Sequence, residues 1–138
     1  MCINLIQRSP EIAKEDIIAY KVLEINSDDL MFTPYLYMRI EFNKLYIDTK
    51  QEREESHRLT SGVYHLFSSI EDAILLKEYI EKKYSNRFNK TKFIIVKAII
   101  PKDTKYYVGK CEIGCKLDDA FQHESYGAKS VIYKELDA

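Results

Sequence analysis

Cysteine is scarce in this chain. Only Cys2, Cys111 and Cys115 occur, an odd count that fits no closed disulfide framework and points to reduced thiols. Nor does any Pro/Gly/Ser-rich stretch mark a linker between domains, and no internal repeat or low-complexity tract is present. There is no glycine-rich phosphate loop, no P-loop and no His-Glu-x-x-His helix, so neither P-loop nucleotide chemistry nor zinc-protease chemistry has a signature here. Long hydrophobic runs are missing as well. The first apolar run, Ile3 to Ile6, is too short for a signal peptide or a membrane span, which leaves the cytoplasm as the expected location. Charge of one sign is also lacking: a formal net charge of −1 excludes a strong global attraction to nucleic acid.

The chain does have the means to fold. Its 138 residues, 46% hydrophobic and 31% charged, make one domain's worth, and a domain of this size buries roughly two-thirds of the surface its unfolded chain exposes. The clearest element is a helix over residues 68–84. Ile70, Ala73, Ile74, Ile80 and Tyr84 recur near the three-to-four spacing of one buried face, with Leu76 at its margin. Ser68 with Glu71, or Ser69 with Asp72, forms a capping-box pattern that starts the helix, and Asn86 and Asn89 offer an exit.

Around the helix the sequence predicts strands. Ile17 to Ile25 and Lys92 to Ile100 are apolar on both faces, as in strands covered on both sides. Residues 35–42 alternate cleanly, with Leu36, Met38, Ile40 and Phe42 on one side and Tyr35, Tyr37, Arg39 and Glu41 on the other. Leu45 to Asp48, Gly62 to Phe67, Tyr106 to Val108 and 128–135 complete the set. Residues 50–58 read as a charged solvated loop, and 111–126 as a long loop. The predicted fold class is α+β, a single domain with a mixed or mostly antiparallel sheet of about six or seven strands and one main helix.

Several polar residues are oddly placed for such a fold. Lys21 and Lys97 each interrupt an apolar strand, where a lysine either snorkels from an edge or points into a ligand site. His65 stands between Val63 and Phe67, as a packed, hydrogen-bonded histidine or a catalytic one. Tyr37 and Arg39 on one face make a ring-and-phosphate contact possible, although tyrosine-rich faces also form protein interfaces. Cys111, Cys115 and His123 have poor spacing for zinc and no fourth ligand nearby, so no metal is expected. From Lys77 to Lys110 ten Lys/Arg stand against three acids, a surplus of +7 that leaves −8 elsewhere. That region is a candidate nucleic-acid contact.

The ordered series Tyr20-Lys21-Val22-Leu23, Thr33-Pro34-Tyr35, Lys44-Leu45-Tyr46, His65-x-Phe67, Asp72-Ala73, Ile100-Pro101-Lys102 and Tyr106-Tyr107-x-Gly109 resembles a family of small uncharacterised proteins of phages, prophages and gut Bacteroidetes. That resemblance implies an accessory protein that binds, antagonising a host defence protein or sequestering a nucleotide signal, with no cofactor. Gly62-Val63-Tyr64, Ser68 and Ala73 are more loosely similar to the block that helps hold NAD in the ADP-ribosyltransferase scaffold. Under that second resemblance Lys21, Tyr64 and His65 would surround the nicotinamide and Glu124 would serve as the acid. The chain departs from the scaffold where Tyr20-Lys21 replaces a His or Arg, and where no glutamate stands near Lys129-Ser130. The expected ligand contacts are Tyr37, Arg39, Ser68 and Lys97.

Overall fold

The computed structural model describes residues 3–5, 9–34, 37–55, 58–84, 91–112 and 122–137. Its framework is a pair of nine-residue strands, β3 (Ile17–Ile25) and β10 (Lys92–Ile100), in unbroken antiparallel register from Ile100↔Ile17 to Lys92↔Ile25. Both are rich in β-branched residues, which pack well on a pleated surface. Alternation sends their side chains to two cores. Ala19 and Leu23 of β3, with Val96, Ala98 and Ile100 of β10, enter the first. Val22 and Phe93 enter the second, under the helix α1 (Ile70–Tyr84) with Ala73, Leu76 and Ile80. Contributing to a core on each side explains why both faces of these strands are largely apolar.

The sheet extends from this pair in both directions. On one side lie β13 (Ser130–Lys134) and then β6 (Leu45–Ile47); on the other, β9 (Tyr64–Phe67), β12 (Gln122–Ala128), β11 (Lys105–Glu112), β1 (Ile3–Leu5), β8 (Arg58–Ser61) and β7 (Arg53–Glu55). The two-residue strands β2 (Glu11–Ile12), β4 (Met31–Phe32) and β5 (Arg39–Ile40) sit beside this path. Every pairing among the described residues is antiparallel. β3 meets β9 at one position only, Tyr20↔Phe67, while the first core draws Leu66 and Ala128 from one half of the sheet and Val131 and Tyr133 from the other. A single buried cluster therefore joins the two halves. The α+β class stands, mostly antiparallel sheet with one helix.

Some sequence expectations need correction. The helix starts one residue later than the first alternative allows: Ser69 Oγ accepts the Asp72 N–H at 3.3 Å, which makes Ser69 the cap. Ser68 instead binds the neighbouring strand. Ile74 is 40% exposed and Leu76 is buried, so the helix face is rotated towards Leu76. Residues 35–42 are not one strand, because Tyr37 takes a positive φ of 55° and its N–H closes a turn onto Thr33 O at 3.0 Å. Tyr35 and Leu36 lie outside the described residues, as do Cys2, Cys115, Asn86 and Asn89.

The predicted strand count of six or seven misses the short strands, thirteen being present among the described residues. The charged run expected as a loop over 50–58 contains β7 and the first residue of β8, the two strands being paired to each other. The long loop expected over 111–126 has strand at both ends, since β11 continues to Glu112 and β12 begins at Gln122, in register with it.

Candidate functional site

Four of the singled-out positions, Lys21, His65, Ser68 and Glu124, lie where β3, β9 and β12 run side by side. β9 parts from β3 beyond the Tyr20↔Phe67 pair, and the Lys21 ammonium donates to His65 O at 2.9 Å in that gap. One function of Lys21 is thus to satisfy a strand carbonyl. On the far side of β9, both the backbone N–H and the hydroxyl of Ser68 donate to Glu124 O, each at 3.3 Å. The Glu124 carboxylate belongs to an exposed residue, and its neighbour Ser125 is fully buried.

His65 is buried, its ring edge-on to Phe67 with centroids 5.2 Å apart. Neither ring nitrogen has a hydrogen-bond partner among the described residues. Burial, reinforced by the Lys21 charge, pushes its pKa well below the usual histidine value, so the imidazole is neutral. No carboxylate orients it and no nucleophile is placed against it among the described residues, which is not the arrangement of a triad.

The remaining candidates are dispersed. Tyr64 points the other way, against the first core, where burial and then the Asp48 charge raise its hydroxyl pKa. Lys21 and Lys97 occupy adjacent register positions, Val96↔Lys21 and Lys97↔Tyr20, but alternation puts Lys21 on the side of Ala19 and Leu23 and Lys97 on the side of Tyr20 and Val22. They do not share a site. Tyr37 is exposed and lies 5.4 Å from the Phe32 ring, and a hydrogen bond to the Glu24 carboxylate raises its pKa. Arg39 is exposed on β5. Of the basic 77–110 region, Lys77 pairs with Glu81 inside the region at 3.0 Å, and Lys105 pairs with Glu52 outside it at 2.8 Å, so Glu52 locally offsets one charge of the surplus. The described residues contain no group of three or more His, Cys, Asp or Glu able to hold a metal.

A polar cluster that no motif announced lies around Glu52. Its carboxylate takes the Lys105 ammonium at 2.8 Å, lies 3.7 Å from that of Lys129, and accepts the Tyr107 hydroxyl at 3.4 Å. The Lys105 hydrogen bond lowers the Glu52 pKa. Lys129 also donates to Lys50 O at 2.7 Å and Gly62 O at 2.6 Å. Gly62 has φ +88°, and a Cβ there would stand 2.6 Å from Glu52 Cα, so only glycine fits. This cluster fastens residues 50–52 to the sheet. Glu52 lies in a run of mixed charges and its partners are far along the chain, which left no local signal for it.

The face of the sheet that carries α1 is only partly covered. Beyond the Tyr20 and Lys97 positions, the register aligns Ile18, Ile99, Ile132 and Leu45 across β3, β10, β13 and β6. Their neighbours Ala19, Ala98, Val131 and Tyr133 point into the first core, so this row faces outward. Ile18 is 52% exposed and Leu45 49%, and Ile47, next along β6, is 59% exposed.

No family model, curated protein or solved structure matches the chain. Its function has to be argued from this geometry. Among the described residues no helix is long and apolar enough to cross a membrane.

Proposed function

We propose that this protein acts by binding, presenting the Ile18–Ile99–Ile132–Leu45 row to a partner protein. The observation that carries this reading is the row itself, a run of large aliphatic side chains spanning four strands beside the helix-covered core, where contiguous exposed apolar surface marks an interaction site. Tyr20, Lys97 and Lys134 adjoin it in register, giving it the polar margin that interfaces have. The resemblance to phage accessory proteins directs the choice of partner to a host defence protein. Occupying such a protein requires no catalytic group.

The test has two arms. Capture of a specific host protein should be lost in Ile18→Asp, a change at a half-exposed position that should leave the thermal midpoint near that of the parent; retained capture would remove the reading. A melt against NAD, ADP-ribose and cyclic di- and trinucleotides runs in parallel. Ligand at about a hundred times its dissociation constant adds roughly 2.7 kcal/mol, so a clear rise in midpoint with a cyclic nucleotide would replace a protein partner with a nucleotide signal.

A second reading is a divergent ADP-ribosyltransferase-like enzyme using NAD. What favours it is that Lys21, His65 and Glu124 come from three adjacent strands, β3, β9 and β12, with Ser68 directly after β9. In the same melt, a rise with NAD alone, followed by NAD cleavage that Glu124→Gln abolishes, would promote it over the first.

A further inference from the structure

The outer strand β6 ends the sheet on one side, and its backbone orientation follows from the register. Asp48 N–H donates to Lys129 O at 2.8 Å, and Tyr46 stands opposite Val131. In an antiparallel ladder successive residues turn their backbone groups alternately towards the neighbour and away from it. Tyr46 and Asp48 therefore bond inward to the rest of the sheet. Leu45 and Ile47 turn their N–H and C=O groups outward, where no described strand pairs with them.

We propose that this edge pairs with the same edge of a second copy of the chain, antiparallel about a two-fold axis at Tyr46. The sequence is self-complementary in that register. Leu45 falls opposite Ile47 of the second copy and exchanges backbone hydrogen bonds with it, the outward-facing positions being those that need partners. Both side chains lie on the uncovered face and make an aliphatic cross-strand pair. Lys44 falls opposite Asp48 of the second copy, and the two-fold axis repeats the opposite-charge pair. Lys44 is available for it, since its contact with Glu41, at 3.5 Å, joins two side chains more than half exposed, where surface pairs contribute little, and its ammonium, 5.5 Å from the Tyr46 ring centroid, already stands beside the axis. Asp48 Oδ1 accepts the Lys50 N–H at 2.9 Å, which holds the carboxylate at the strand end. Because the axis stands perpendicular to the sheet, the apolar rows of the two copies join on one side. The edge is only three residues long, so association is reversible and depends on concentration. None of this depends on which partner the apolar row meets.

Sedimentation equilibrium should show a mass rising with concentration from 16.3 kDa towards twice that value. Lys44→Glu and Asp48→Lys alone should each weaken association by about tenfold or more, and the double variant, with the charges exchanged, should return it to within about threefold of the parent. Amide exchange at Leu45 and Ile47 should slow as the dimer forms, whereas Tyr46 stays protected at all concentrations. Melts establish that each variant is folded. A monomeric mass at millimolar concentration would overturn the proposal, as would single variants without effect or a double variant that fails to recover.

Discussion

A neutral imidazole locked inside the protein makes stability depend on acid. His65 is the case here, its pKa held well below the ordinary value by burial and by Lys21. In the unfolded chain the ring takes a proton below about pH 6.5, whereas the folded protein refuses it. The unfolded state then binds more protons, so stability is full above that pH and falls as the solution is acidified, by up to about 1.4 kcal/mol per pH unit until the ring titrates in the folded state. Urea melts between pH 7.5 and 5 should show this fall, and His65→Phe should flatten it. An equal slope in both proteins would place the acid sensitivity elsewhere. The Glu52 ion cluster acts in a lower window: its depressed pKa contributes stability above the carboxylate's unfolded value, lost only as pH falls further. The burial of His65 was legible from the sequence because its strand neighbours are apolar, but the hydrogen bond expected of it is absent, neither ring nitrogen having a partner among the described residues. Which of two ways Lys21 would go was not, since the carbonyl it satisfies is exposed by the parting of two strands distant in sequence.

Element by element, local chemistry was legible where it did not depend on remote contacts. The helix, with its serine corner, acidic first turn and apolar stripe, is such a case, and only its cap and its rotation needed the structure. Ser69 accepts the Asp72 N–H, while the Ser68 hydroxyl duplicates a contact to Glu124 O that its own backbone N–H already makes. Ser69→Ala should therefore cost about 1 kcal/mol, or roughly 3–5 °C in thermal midpoint, and Ser68→Ala less than half of that. The reverse ranking in paired melts would return the cap to Ser68. The alternation over 35–42 correctly picked the buried side, since Met38, Ile40 and Phe42 do face the first core. It could not register the turn at Tyr37, because a tyrosine gives no warning of a positive φ. The ends of the 111–126 segment escaped for the opposite reason: His123, Glu124 and Ser125 have poor strand propensity and are held in the ladder by pairing with Cys111, Lys110 and Gly109, a tertiary effect.

Across the whole molecule, the order of strands was beyond the reach of the sequence, because pairings such as β3 with β10 join segments separated by about half the chain. That pair is nonetheless where the fold is most secure. It has the longest uninterrupted register, contributes to both cores, and lies inside the strand order with neighbours on both sides, while β8 and β7 lie at one end of it with an irregularity between Arg53 and Glu54. Opening the β7–β8 hairpin uncovers the buried Leu59 but takes no residue from either core cluster, whereas separating β3 from β10 dismantles both at once. Local and global openings should then differ in free energy. Amide exchange followed by mass spectrometry should find 17–25 and 92–100 exchanging only through global unfolding, with 53–61 exchanging much sooner and with little dependence on denaturant. Equal protection of the two regions would mean that the Glu52–Lys105–Lys129 cluster ties the β7 end to the sheet strongly enough to make one cooperative unit. In that event Lys129→Met, which removes the donor to Lys50 O and Gly62 O, should release the hairpin while leaving exchange in β3 and β10 tied to global unfolding.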